Sequence, residues 1–194
     1  MTDFLKIYEN AIPDDLCNQL IDFFENNPDK TFKFDHDWRR SLCMNMPNNV
    51  PKELLSKINN IIRNYFDKYK SEVSSNGGSG TLSFCNNLES PNFLKYNNNS
   101  DKPNHFNMHS DNWSSDSSTR QISVILYLND VVGGGETVFP YYNINVGPQK
   151  GKILMFPSFF NYSHYAAEPK SNPKYVIVTW IHFSGKTSYF TYPF

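Results

Sequence analysis

His109-Ser110-Asp111, then Thr119-Arg120-Gln121-Ile122-Ser123-Val124-Ile125-Leu126-Tyr127-Leu128-Asn129-Asp130, Gly133-Gly134-Gly135-Glu136-Thr137-Val138-Phe139-Pro140, Gly151-Lys152-Ile153-Leu154-Met155-Phe156, His164 and Lys174-Tyr175-Val176-Ile177-Val178-Thr179-Trp180 follow one another in the second half of a 194-residue chain. Short runs rich in β-branched and aromatic residues, separated by Gly and Pro, read as strands and turns. Strands are predicted near Leu82–Asn86, Asn92–Tyr96, His105–His109, Arg120–Asn129, Thr137–Phe139, Ile144–Val146, Lys152–Phe156, His164–Ala166 and Tyr175–Phe183. Many short strands at such spacing indicate a two-sheet jelly roll or barrel. Arg120–Leu128 and Tyr175–Phe183 are apolar on both alternating faces. Such strands are buried on both sides, one face toward the barrel interior and the other under helices.

The helices lie upstream. Ile12-Pro13-Asp14-Asp15 reads as a helix start, with acids at the positive end of the dipole. Leu16, Leu20, Phe23 and Phe24 recur at helical spacing, and Asn26-Asn27-Pro28 ends the helix. Asp29 to Asn49 is irregular, with short strands near Thr31–Phe34 and Arg40–Met44. Pro51 to Lys70 carries Leu54, Leu55, Ile58, Ile61, Ile62, Tyr65, Phe66 and Tyr69 on one face, a stripe that packs on a sheet. Ser71 to Gly80 is a Gly/Ser-rich loop. The organisation expected is one mainly β domain over residues 1–194, with a helical cover over about 1–80 and a jelly-roll core over about 81–185.

The charge balance, 18 basic against 19 acidic side chains with no Lys/Arg run, advertises neither a nucleic-acid partner nor a membrane surface. No apolar run approaches a membrane span. Cys17, Cys43 and Cys85 form no C-x-x-C and read as idle thiols. The first ten residues lack a basic and an apolar region, so no signal peptide is expected and the location expected is cytoplasmic. Asn112-Trp113-Ser114 and Asn161-Tyr162-Ser163 are formal glycosylation sequons, and a glycan there would obstruct the candidate site below.

His109 and Asp111 stand two apart. On an extended strand they point to the same face, and His164 can join them from another strand. Two His and one carboxylate can form the facial set that holds a non-heme Fe(II) and leaves coordination positions open. One H-x-D triplet alone is a weak motif. Lys174 opens an apolar strand, where an unpaired ammonium is costly to bury. It either faces inward against an anion or sits at the strand edge with its head in water. Tyr127 shares an alternating set with Ser123 and Ile125. Its hydroxyl either reaches the same anion or is that of an ordinary core tyrosine. The triple glycine is a tight turn rather than a phosphate loop, because no G-K-[ST] follows, and Glu136 beside it reads as structural. His105 and His109 lack the Glu of a zinc-protease helix, and His36 and His182 have no evident partner.

Taken together, His109-x-Asp111, Arg120-x-x-Ser123, Tyr127-Leu128-Asn129, Gly134-Gly135-Glu136-Thr137-x-Phe139-Pro140, Pro148-x-x-Gly151, Phe156, His164 and Lys174-Tyr175 through Trp180 resemble the Fe(II)/2-oxoglutarate-dependent dioxygenases, in the prolyl 4-hydroxylase branch. The resemblance runs from about Phe93 to Phe183. It implies a double-stranded β-helix, the cupin-like form of the jelly roll. It implies Fe(II) on His109, Asp111 and His164, with these three as the catalytic set. It implies 2-oxoglutarate as co-substrate, its distal carboxylate on Lys174 and Tyr127, with O2 as oxidant and ascorbate as a candidate reductant. The reaction implied is hydroxylation of a prolyl residue in a peptide or protein, with release of succinate and CO2. Many of these proteins carry Tyr three residues before the first ligand His. Phe106 stands there, which leaves Tyr127 alone to serve the carboxylate. Asn97 to Pro103 replaces a shorter Gly-containing loop at the substrate mouth. Tyr96, Trp113, Arg120 and Trp180 are the substrate-side candidates, each with simple packing as the alternative. Other readings are a dioxygenase acting on a free amino acid, a lysyl side chain or a nucleobase, or a non-catalytic jelly-roll binding module. The nucleobase reading is weakened by the absent basic surface and by the lack of a second Arg in the strand after His164. Retention of His109, Asp111, His164 and Lys174 argues against the non-catalytic one.

Overall fold

The structure, a computed structural model, describes residues 2–74, 82–98 and 102–183. Its elements in chain order are β1 (Lys6–Tyr8), α1 (Asp14–Glu25), β2 (Phe32–His36), β3 (Arg39–Asn45), α2 (Met46–Asn49), α3 (Lys52–Val73), β4 (Cys85–Leu88), β5 (Asn92–Tyr96), β6 (Phe106–His109), β7 (Arg120–Tyr127), β8 (Thr137–Phe139), β9 (Ile144–Val146), β10 (Ile153–Pro157), β11 (His164–Ala166) and β12 (Lys174–Phe183). The strands pair antiparallel in the order β1-β10-β7-β12-β5-β3-β6-β11-β8-β9, with β2 on β3 and β4 on the end of β12. A single pair, Arg39 with Phe106, joins the long-stranded half to the four short strands β6, β11, β8 and β9. The sheet curls on itself into the double-stranded β-helix expected from the sequence.

Alternation along β7, β10 and β12 decides which residue goes where. Ile122, Val124, Leu126, Ile153, Met155, Ile177 and Ile181 point to one side, where they meet Leu16, Leu20 and Phe24 of α1 and Ile58, Ile62, Phe66 and Tyr69 of α3. Tyr127, Leu154, Phe156 and Val176 point to the other, where they pack with Leu94, Tyr96 and Phe139 in the barrel interior. Burying a large aliphatic side chain contributes about 1.5–3 kcal/mol, so the helix-side layer is the main source of cohesion. α3 extends beyond the predicted end at Lys70 because Val73 continues its buried stripe. Ser71 to Val73 therefore belong to the helix, and residues 75–81 lie outside the described ones, as do residues 99–101 of the Asn97–Pro103 segment. β1 was not predicted, and it is its pairing with β10 that makes Lys6–Tyr8 a strand. All three cysteines are buried, and burial pushes their thiols up to about 11, which leaves them unreactive. No helix among the described residues is long and apolar enough to cross a membrane.

Candidate metal centre

β6 and β11 pair so that His109 stands directly opposite His164. Each ring is turned by its own main chain. His109 Nδ1–H donates to the Asn107 carbonyl at 2.7 Å, and His164 Nδ1–H donates to that of Tyr162 at 3.1 Å. A carbonyl can only accept, so both rings carry a proton on Nδ1, and Nε2 is the nitrogen each turns to Asp111. Asp111 lies in a turn just past the end of β6 rather than on the strand itself. Its Oδ1 is 3.5 Å from His109 Nε2, and its Oδ2 is 3.9 Å from His164 Nε2. One donor atom from each residue falls within 4.8 Å of the others. Two imidazole nitrogens and a carboxylate, converging in a largely buried spot, form a donor set that fits Fe(II).

Neighbours fix these rings further. Phe106 stacks on His109 at 3.7 Å between ring centres and 15° between planes. Phe156 meets His164 edge-on at 4.8 Å. Burial alone would raise the Asp111 carboxyl, but the two imidazoles and the Ser123 hydroxyl outweigh it and hold it below the usual carboxylate range. Burial lowers His164 to about 4, against the opposing pull of Asp111. Asp111 as an anion and His164 as a neutral ring are the protonation states that metal ligation requires.

Lys174 sits at the other end of the same cleft and is 2% exposed, so it does not reach solvent along the strand edge. Its Nζ donates to the Gly135 carbonyl at 2.8 Å and lies 4.4 Å from the centre of the Tyr96 ring. The triple-glycine turn makes that carbonyl available. Gly134 has a φ of 74°, and a Cβ there would collide with the Glu168 carbonyl at 2.2 Å. Burial lowers the Lys174 ammonium to about 7, and Glu136 opposes that only in part. Tyr127 is fully buried behind the cleft, with its hydroxyl 2.7 Å from Thr137 Oγ1. Thr137 itself lines the cleft with Lys174 and Val176. Tyr96 accordingly belongs to the Lys174 end of the cleft.

At the metal end the cleft is walled by Arg39, Phe106 and Trp180. The Arg39 guanidinium lies between Phe34, at 3.8 Å from its ring centre, and Phe106, at 4.8 Å. Its Nε is buried and has no hydrogen-bond partner among the described residues. Arg120 stacks on Trp180 at 3.5 Å and forks onto Glu89, with Nε to Oε2 at 2.8 Å and Nη2 to Oε1 at 2.5 Å. Glu89 Oε2 also accepts from His182 Nε2 at 2.7 Å, so His182, which had no evident partner in the sequence, belongs to a polar cluster. Trp113 stands in the turn after Asp111 and is 74% exposed. Arg39, Thr137 and Glu89 were missed by the sequence reading. Arg39 falls in a stretch read as irregular, and Glu89 precedes a strand with no motif around it. Thr137 was read as the start of a strand after the glycine turn and given no role in the site.

Comparison with known proteins is consistent with this geometry. Residues 91–182 match the 2OG-Fe(II) oxygenase superfamily. No curated protein matches the sequence. Among solved structures, a viral collagen prolyl hydroxylase from Paramecium bursaria Chlorella virus-1, in complex with 2-oxoglutarate, is 20% identical with a TM-score of 0.66, over 93% of this chain and 96% of that one. A Pseudomonas putida prolyl-4-hydroxylase is 16% identical with a TM-score of 0.71, over 95% of each chain. A Trichoplax adhaerens prolyl hydroxylase, in complex with a hypoxia inducible factor oxygen degradation domain peptide fragment, is 17% identical with a TM-score of 0.72, over 95% of this chain and 89% of that one. Residues 91–182 thus match the 2OG-Fe(II) oxygenase superfamily, whose cofactor and co-substrate are Fe(II) and 2-oxoglutarate, and the described chain takes the fold of the prolyl hydroxylases.

Proposed function

We propose that this protein is an Fe(II)- and 2-oxoglutarate-dependent hydroxylase that acts on a prolyl residue in a peptide or protein. One observation carries the reading: a single cleft holds the converging donors of His109, Asp111 and His164 at one end and the buried Lys174 at the other. His109, Asp111 and His164 hold the metal. Lys174 pairs with the distal carboxylate of 2-oxoglutarate, an anion that offsets the cost of burying the ammonium. Thr137 donates to that carboxylate directly, with Tyr127 behind it fixing its hydroxyl. Leu94, Val176 and Val178 line the cleft between its ends and keep water out. When bound, the metal and 2-oxoglutarate supply the open coordination positions and the electrons that oxygen activation and C–H hydroxylation need.

The substrate enters where Arg39, Trp180 and Trp113 stand. Arg39 offers an Nε–H with no partner among the described residues to a peptide carbonyl or carboxylate, and the Trp180 indole offers an apolar face to a proline ring. The fold shared with the three prolyl hydroxylases supports prolyl chemistry over the amino-acid and lysyl alternatives. The test combines spectroscopy with mass spectrometry. Anaerobic addition of Fe(II) and 2-oxoglutarate should produce a weak visible charge-transfer band in the parent and none in Asp111→Ala. Proline-containing peptides should then gain the mass of one oxygen atom in step with succinate release. Absence of the band from the parent removes the oxygenase reading. A band followed by hydroxylation of lysyl peptides or free amino acids, but not prolyl peptides, replaces the substrate.

A further inference from the structure

Asp111 is the one proposed metal donor that no strand holds, since β6 ends at His109. Two chains of hydrogen bonds do that work instead. On the side chain, Ser123 Oγ donates to Asp111 Oδ2 at 2.5 Å, and the same Oγ lies 2.9 Å from Ser158 Oγ. A hydroxyl has one proton to give. Ser123 gives its proton to the carboxylate, so Ser158 must be the donor to Ser123. Both serines are 1% exposed, beside the interior cluster of aliphatic and aromatic side chains. Ser158 is anchored in turn. Its N–H donates to the Gln121 carbonyl at 2.9 Å, and its carbonyl accepts from Asn112 N–H, the residue after Asp111, at 3.2 Å. On the main chain, Arg120 Nη1 donates to the Asp111 carbonyl at 3.0 Å while Glu89 holds the rest of the guanidinium.

We infer that Ser123 and Ser158, acting on the carboxylate, and Arg120 and Glu89, acting on the main chain, are positioning residues that clamp Asp111 with Oδ1 as its metal-binding oxygen. The inference rests on the metal reading above and specifies how that site is built. Oδ2 already accepts a strong hydrogen bond to an ionised group, which leaves Oδ1, 3.5 Å from His109 Nε2, as the oxygen that no hydroxyl holds and that faces the nearer imidazole. A carboxylate held this way binds through one oxygen and keeps open a position that two-oxygen binding would fill. Hydroxyls are needed here because aliphatic side chains in the same space would leave the carboxylate free to swing. Such supporting partners typically contribute 10–100-fold to metal affinity.

Co(II) serves as the probe metal, titrated into the intact protein with calorimetry for affinity and the visible ligand-field spectrum for geometry. Ser123→Ala should bind Co(II) roughly 10–100-fold more weakly than the parent, with an altered spectrum. Ser158→Ala and Glu89→Gln should fall in between, and Ser123→Thr, which keeps the hydroxyl, should restore the parent values. Melting curves of the metal-free variants distinguish positioning from folding, since the clamp predicts losses in metal affinity at nearly unchanged melting temperature. If Ser123→Ala and Glu89→Gln match the parent in both affinity and spectrum, the clamp is overturned. If the parent binds no better than Asp111→Ala, the metal reading itself fails and the clamp falls with it.

Discussion

The two faces of β7 and β12 are made from the same strands and serve opposite ends. On the helix side stand Ile122, Val124, Leu126, Ile177 and Ile181, all apolar and closed over by α1 and α3. On the interior side of the same strands stand Ser123, Tyr127, Lys174 and Val176, among them two hydroxyls and an ammonium that are fully buried. A strand alternates with period two, so one sequence writes both faces at once. The helix side can be optimised for burial alone, while the interior retains polar groups that hydrophobic packing would not select. Stability and chemistry are thereby separated by a single residue step, and substitutions at adjacent positions should give opposite phenotypes.

Lys174 gives the largest contrast. Lys174→Met should lower 2-oxoglutarate affinity on the order of 100-fold or more, the usual loss when one partner of a buried charge pair is truncated. The same change should make the cofactor-free protein more stable near pH 7. The native ammonium is lowered to about 7 while the unfolded one titrates near 10.5. Below pH 7 both states hold the proton, and the burial cost is fully present. Between pH 7 and about 10.5 the unfolded chain binds the extra proton, so stability rises with pH and then levels off. Urea melts from pH 6 to 10 should show that rise in the parent and lose it in Lys174→Met. Binding of 2-oxoglutarate near pH 8 should take up a proton, seen by calorimetry in buffers of different ionisation enthalpy, and affinity should fall as the pH rises above 7. A parent whose stability stays flat over this range would show that Lys174 already has an anionic partner.

The step from Val176 to Ile177 sharpens the same contrast. Ile177→Ala removes a fully buried side chain from the helix side and should cost about 2–5 kcal/mol in chemical denaturation, with 2-oxoglutarate affinity unchanged in the folded fraction. Val176→Ala should cost less stability and weaken 2-oxoglutarate binding, because Val176 lines the cleft. If the two phenotypes are exchanged, the faces have been assigned the wrong way round. Phe106→Leu is a smaller test. It keeps the bulk beside His109 and removes the ring stack, which contributes about 0.5–1.5 kcal/mol. Co(II) affinity should fall roughly two- to ten-fold while the melting temperature moves little. Equal affinity would mean that Asn107 alone orients the ring through its carbonyl.

Much of this division was legible in the sequence. Alternation in Arg120–Leu128 and Tyr175–Phe183 announced strands buried on both faces, and the stripe from Leu54 to Tyr69 announced what covers one of them. The positions of His109, Asp111, His164 and Lys174 were drawn from spacing and resemblance, and the structure brings all four into one cleft. What escaped was set by tertiary contact. Ser158 and Glu89 act through partners 35 and 31 residues away, a relation that no local pattern encodes. Arg39 is brought to the cleft by the β2–β3 hairpin, whose burial pattern is mixed because one side packs on the molecule and the other meets water. Asp111 was expected on the strand with His109. The ladder stops two residues earlier than that expectation needs, and the turn is held by Arg120 instead of by a neighbouring strand.

Trp113 offers the finest discrimination, because it touches neither face of the sheet. At 74% exposure, Trp113→Ala should leave stability within about 0.5 kcal/mol of the parent. It should leave Co(II) and 2-oxoglutarate affinity unchanged as well, since it lines neither end of the cleft. A peptide that approaches the metal must pass the turn that follows Asp111, and a large exposed aromatic there can gain contact only when something covers it. The expected result is a rise of several-fold in the KM for a peptide substrate with kcat preserved, the pattern of lost uniform binding. If the same variant also lowers kcat at saturating peptide, the indole helps align the reacting carbon, and the chemical face extends beyond the barrel into the turn. If neither parameter moves, Trp113 is surface alone, and substrate recognition is confined to the side where Arg39 and Trp180 stand.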